Sequence, residues 1–224
     1  FAHEFRLLKN DKIIQKNLDL INFKLGYILL LAMYKNLDFD TYSRSKYKIL
    51  LSILRLGLVN ILTGNSKLLS NLVPTLCFEI KKDNANSVSY DDIVNNFISS
   101  ISLHVVKLEN QFQETIISTN MFRKKRLSMY LLKLICGFNN KKIKDKQLYK
   151  ILNDNNRKYF LPDISDIEYN VYSNRLGNLD INGSVPLTWD TESISTQGEQ
   201  YSKDLIELFI NGKITKALLS NCIS

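Results

Sequence analysis

Four consecutive cations form the part of the sequence with the clearest chemical meaning. Guanidinium and ammonium groups bind carboxylates and phosphates, and they do so most strongly where several lie together. Further basic residues follow along the chain as far as Lys158. The candidate basic face consists of Arg123, Lys124, Lys125, Arg126, Lys141, Lys142, Lys144, Lys146, Arg157 and Lys158.

The charge of the chain is concentrated in this stretch. Residues 123–158 hold 12 basic and two acidic residues, whereas residues 159–224 hold four basic and nine acidic ones. The run Arg123 to Arg126 resembles a short nuclear-import signal. Charge runs on helices are often merely solvated, and the acidic end of the chain can neutralise this one. The other interpretations are an acidic or helical protein partner, a nucleic acid, or an anionic membrane surface.

Aromatic residues near the basic stretch bear on the nucleic-acid interpretation, since aromatic rings stack on bases. The candidates are Tyr130, Tyr149, Tyr159 and Phe160.

Residue patterns for catalysis are scarce. Neither His3 nor His104 has a Cys or His neighbour at the spacing of a metal site. The chain also lacks a glycine-rich phosphate loop and a Gly-x-Ser-x-Gly nucleophile motif. His104 lies beside an apolar stripe, where a structural histidine is the simpler interpretation. We therefore expect no enzyme activity, no catalytic or metal-binding residues and no cofactor.

Helical periodicity is the main structural signal. Val94, Ile98, Ile101 and Val105 recur at spacings of four and three, which places them on one face of a helix. Without Gly or Pro from Tyr90 to Phe122, this pattern predicts one long central helix over about 90–122, with Ser89 as its N-cap. Together with few Pro and Gly residues, it predicts an all-α fold, an irregular bundle of six to eight helices.

The composition changes after residue 160. Residues 161–198 contain two of the three prolines and read as an irregular, extended acidic strap or loop, which we call the strap. Disorder is another interpretation of this stretch. A hairpin around Asn182-Gly183 is one interpretation of the strap, with strands at 169–172 and 185–189. Trp189 is either an anchor that holds the strap to its own helices or a docking residue for another protein. The predicted division is a bundle at 1–160, the strap, and short helices at 199–224 that pack on the bundle.

The remaining features concern the compartment. The longest apolar run, Leu25 to Tyr34, is too short to span a membrane, so no transmembrane segment is predicted in this excerpt. Three widely spaced cysteines indicate a reducing compartment. Because the first residue is Phe1 and not Met, we expect an excerpt or a processed chain.

Taken together, the sequence favours a non-catalytic protein-protein interaction module, an adaptor or assembly subunit of a larger intracellular eukaryotic protein in the cytoplasm or nucleus. The basic face would steer the partner, and a few apolar anchors would supply affinity. The alternative is a helical domain that binds nucleic acid through the Arg123–Lys158 region.

Overall fold

The computed structural model describes residues 11–141, 143, 147–182 and 186–223. The structure is 73% helical, and its described residues contain 11 α-helices and one two-stranded sheet. The predicted all-α class is confirmed. The helices outnumber the predicted six to eight because one long predicted helix is divided and because the strap contains helices of its own.

The chain forms two compact units. Unit 1 comprises Phe1–Asn110 and Phe209–Ser224, and unit 2 comprises Gln111–Leu208. The composition changes that suggested limits at 160 and 198 do not coincide with the limits of these units.

Unit 1 is built around one long helix that is apolar on most of its circumference. This helix, Phe39–Leu62, begins where the Asp38 carboxylate accepts from the Thr41 N–H, and it buries 15 of its residues. Gly57 admits the Phe23 ring, since a Cβ there would lie 2.3 Å from the ring. The helices of unit 1 are α1 (Lys12–Leu20), α2 (Leu25–Asn36), α3 (Phe39–Leu62), α4 (Ser66–Ala85), α5 (Tyr90–Val106) and, numbered in chain order, α11 (Lys216–Ile223).

The prediction of a single helix over 90–122 is wrong. Ser89 does cap its start, accepting from the Asp92 N–H at 3.2 Å, but α5 ends at Val106 and a second helix, α6, runs over Glu109–Ser118. The Leu108 N–H turns back to the Val105 carbonyl, three residues earlier. The break lies close to the boundary between the two units, which falls after Asn110. The apolar residues of α5 are therefore buried in unit 1, and those of most of α6 are buried in unit 2.

Unit 2 combines helices with one short antiparallel pair of strands, in which Tyr149 faces Asp180 and Lys150 faces Leu179. Its elements are α6, a 3₁₀ segment (Phe122–Lys124), α7 (Lys125–Phe138), β1 (Tyr149–Lys150), α8 (Arg157–Phe160), α9 (Asp166–Tyr172), a 3₁₀ segment (Leu176–Asn178), β2 (Leu179–Asp180) and α10 (Thr191–Leu205). A π-helical turn, Ile206–Ile210, follows α10.

The strap at 161–198 is not extended throughout, and this prediction is wrong in part. The stretch expected to be its first strand lies in α9, which begins with a capping box between Ser165 and Glu168. The Asp190 carboxylate accepts from the Ser193 N–H and starts α10 inside the same range. Residues 183–185, which the hairpin would need, lie outside the described residues.

A buried cation closes the C-terminal end of the π-helical turn in unit 1. Arg55 is 8% exposed, and its Nε and Nη2 donate to the carbonyls of Phe209 and Ile210 at 2.7 and 2.8 Å. Its Nη1 donates to Ser102 Oγ at 3.3 Å. No described carboxylate pairs with the guanidinium, and burial lowers the pKa of Arg55. Arg55 thus caps carbonyls that the helix itself leaves unpaired.

We predict that Arg55→Met lowers the free energy of unfolding by about 2–4 kcal/mol, because two buried carbonyls lose their donors. Urea unfolding followed by circular dichroism measures the change. The control is Arg44→Met, which removes a pair with Asp91 at 2.8 Å between side chains that are 65% and 67% exposed, and it should cost less than about 0.5 kcal/mol. Equal losses in the two variants would contradict a capping role for Arg55.

Candidate functional site

The candidate site is the run Arg123–Arg126, here called the cationic segment, which lies in unit 2. It spans the end of the 3₁₀ segment and the first turn of α7. Its backbone is fixed from two sides. The N–H groups of Met121 and Phe122 both donate to the Asn174 carbonyl, at 2.9 and 3.1 Å. Ser128 Oγ, on α7, donates to the Met121 carbonyl at 2.6 Å.

The four side chains of the cationic segment are all exposed. Among the described residues, none of them forms an ion pair with an Asp or Glu. No side chain caps the start of α7, and cations there oppose the positive end of the helix dipole. The fold therefore holds four positive charges at a place where its own electrostatics disfavour them.

A fifth cation joins the segment from β1. Lys150 Nζ lies 4.2 Å from the centroid of the Phe122 ring, and Lys125 Nζ lies 4.9 Å from the same centroid. Burial lowers the pKa of Lys150, and the charge of Lys125 adds to that effect while Asp154 opposes it. Lys150 is not among the predicted members of the basic face, and it lies on β1, which pairs with β2 about 30 residues later in the chain.

The other predicted members of the basic face differ from one another. Lys141 and Lys158 are exposed. Arg157 is not a free cation: its Nη1 lies 2.6 Å from Asp166, its Nη2 donates to the Ile164 carbonyl, and its guanidinium covers the Tyr169 ring. This arrangement ties α8 to α9. The remaining predicted positions, Lys142, Lys144 and Lys146, lie outside the described residues.

Trp189 is buried in unit 2, with 9% of its surface exposed. Its ring packs in a cluster with Ile151, Leu152, Tyr169 and Ile194. Its indole Nε1 donates to Asn178 Oδ1 at 2.9 Å.

Asn178, its hydrogen-bond partner, is itself fully buried. Asn178 Oδ1 also accepts from the Leu152 N–H, and Nδ2 donates to the carbonyls of Leu152 and Ser173. One side chain thus holds Trp189, the segment after β1 and the end of α9 together.

Most of the aromatic rings near the basic stretch are not available to stack on bases. Tyr130 is 2% exposed, and Phe160 packs against the cluster around Trp189. Tyr149 is half-buried. Tyr159, 77% exposed, is the one fully exposed ring of the four.

His104, the candidate histidine within the described residues, lies beside an asparagine. His104 Nε2 lies 3.2 Å from Asn60 Oδ1, and burial together with the charge of Lys107 lowers the pKa of His104. Because the Asn60 amide nitrogen donates to the Leu56 carbonyl, the Asn60 oxygen faces the histidine as an acceptor. The described residues contain no group of three or more His, Cys, Asp or Glu arranged to hold a metal ion. Within the described part of the chain, every helix is too short or too polar to cross a membrane.

Comparisons with other proteins give no relative for this chain. No family model matches it, and neither a curated protein nor a solved structure is similar to it. The functional interpretation therefore depends on the residues and contacts described above.

We predict that Trp189→Phe lowers the free energy of unfolding of unit 2 by about 1–2 kcal/mol, because the buried Asn178 oxygen loses a donor and the cluster loses ring area. Chemical denaturation followed by circular dichroism tests this. Tyr159→Phe is the control, since an exposed aromatic residue should contribute less than about 0.5 kcal/mol. An unchanged stability in Trp189→Phe would rule out an anchoring role for the tryptophan.

Proposed function

We propose that the chain is a non-catalytic protein-protein interaction module whose cationic segment docks an acidic surface of a partner protein. The proposal is based on the exposure and the missing counter-charges of Arg123, Lys124 and Arg126. These side chains are exposed, lie on a backbone fixed by hydrogen bonds, and have no carboxylate partner among the described residues. A carboxylate-rich partner would supply the counter-charges that the fold leaves out.

Part of the chain's own acidic end is already engaged in other contacts, since four of the nine acidic residues at 159–224 bind groups elsewhere in unit 2. In unit 2, Asp166 pairs with Arg157, and Glu168 and Asp190 serve as helix caps. The Asp204 carboxylate accepts from the side-chain amides of Asn139 and Gln200. These four carboxylates are engaged away from the cationic segment.

Binding of nucleic acid is the weaker alternative. The ammonium groups of Lys125 and Lys150 lie over the Phe122 ring, and Tyr130 is buried, so few rings remain for stacking on bases. A run of four cations would still attract phosphates without regard to sequence. Salt would weaken the binding of an acidic protein and of a nucleic acid alike. The two alternatives are therefore distinguished by whether an acidic peptide or a nucleic acid binds more tightly.

The mechanism would be equilibrium binding. Exposed charges accelerate the encounter and set its dependence on salt, while affinity depends on apolar contacts at the centre of the interface. An adaptor or assembly role in the cytoplasm or nucleus agrees with the free thiols of Cys77 and Cys136, because reduced cysteines are typical of those compartments.

We test this function by fluorescence anisotropy with the full chain at about 0.15 M salt. The probe is a labelled glutamate-rich helical peptide of about 20 residues, long enough to form a helix. Single-stranded DNA of similar length and vesicles containing phosphatidylserine are the competing probes. We expect the peptide to bind most tightly, and Arg123→Glu, Lys124→Glu, Lys125→Glu and Arg126→Glu together to weaken it at least about tenfold, because each exposed pair contributes a small share.

The control variant replaces four exposed lysines of unit 1 by glutamate, so that it has the same net charge as the first variant. These lysines are Lys67, Lys81, Lys82 and Lys107. The control should bind the peptide within about twofold of the unchanged chain, since none of its four lysines belongs to the cationic segment. Tighter binding of DNA or of vesicles than of peptide would contradict the proposal, as would equal weakening in both variants or no binding of the peptide at all.

A further inference from the structure

Unit 2 contains a groove beside the cationic segment that the proposed function has not used. It has a volume of about 450 Å³. Its lining residues are Ser118, Asn120, Ile167, Asn170 and Val171. All five are uncharged, and the two aliphatic ones supply its apolar floor.

The aliphatic residues of the groove are exposed. Ile167 and Val171 are 79% and 46% exposed, and their spacing of four places them side by side on one face of α9. The opposite face already anchors this helix, because Tyr169 and Ser173 are buried there. The capping box at Ser165 fixes its start. The aliphatic pair is thus free to bind something else.

The groove and the cationic segment form one continuous surface within unit 2. Asn120 lines the groove, and its Oδ1 also accepts from the Arg123 N–H at 3.3 Å. At the other end, Asn174 follows α9 and its carbonyl holds the N–H groups of Met121 and Phe122. An occupant of the groove would therefore extend directly over the cations.

We propose that the groove and the cationic segment together bind one amphipathic helix of a partner protein, and this deepens the proposed function, on which it rests. The helix would place two aliphatic side chains, four residues apart, against Ile167 and Val171. Carboxylates on its flank would then lie over Arg123 to Arg126.

Two observations favour this occupant. The two carboxylates of α9 face other partners, Asp166 pairing with Arg157 and Glu168 with Ser165, so the helix that carries the aliphatic pair adds little repulsion toward an acidic helix. A floor made from one helix face presents ridges at spacings of three and four residues, which match the ridges of another helix. Charge complementarity thus selects an acidic partner, and shape selects a helical one.

The test compares three labelled peptides against the full chain by anisotropy. The first carries a leucine stripe with glutamates on its flank, the second has serine at the stripe, and the third has lysine in place of glutamate. We expect the first to bind at least about tenfold more tightly than the second, because two buried aliphatic side chains contribute a factor of that order. The third should not bind.

The variant Ile167→Ser with Val171→Ser should bind the first peptide no more tightly than the second, with an unchanged thermal midpoint because both positions are exposed. Leu187→Ser is the matched control, since Leu187 is 90% exposed and lies outside the groove, and it should bind like the unchanged chain.

The outcomes separate the two proposals. If the groove variant binds the first peptide normally while reversal of the cationic segment weakens it, the groove proposal is overturned and the proposed function remains. If neither variant alters binding, both are overturned. Self-association of the chain that the groove variant abolishes would also overturn the groove proposal, because the occupant would then be a second copy.

Discussion

The candidate surface depends on one acceptor, the backbone carbonyl of Asn174. It receives the N–H groups of both Met121 and Phe122, and so joins the end of α9 to the turn that precedes α7. Met121 is fully buried below this turn, while the four side chains of the cationic segment are exposed. A buried residue followed by exposed cations on a fixed backbone gives a charged surface of defined shape, which a flexible run of lysines does not have.

Placement of charge at this turn is costly for the fold itself. Four cations lie within one helical turn at the positive end of α7, where neither a capping side chain nor a described carboxylate offsets them. Exposure limits the cost, since water screens surface charges. Arg123, Lys124 and Arg126 form no ion pair with a described carboxylate, and for this reason we propose that they serve binding. The adjoining aliphatic pair on α9 would suit a protein partner better than a polyanion of phosphates.

Local signals predict the helices well, and long-range contacts set the limits of that prediction. The apolar spacing of α3 and the cap at Ser89 each depend on residues that are close together in the sequence, so the sequence alone predicts them. The end of α5 is not visible, because Phe112 and Ile116 continue the same spacing although the chain passes into another unit. Likewise, Lys150 lies beside the cationic segment because β1 pairs with β2, a long-range contact that local sequence patterns do not reveal. The Ser165–Glu168 capping box, by contrast, is a local signal for the start of α9, but the Pro and Gly content of the strap suggested an irregular segment instead.

The most direct measurement is the thermal midpoint of a variant with Arg123→Gln, Lys124→Gln and Arg126→Gln, taken at low salt. Lys125 is kept, because its ammonium group contacts the Phe122 ring, and glutamine matches the helix propensity of the residues it replaces. If these cations are held for a partner and not for the fold, their removal relieves repulsion and raises the midpoint by about 2 °C. A lower midpoint would show that the cations stabilise the chain through contacts of their own, and would contradict the account.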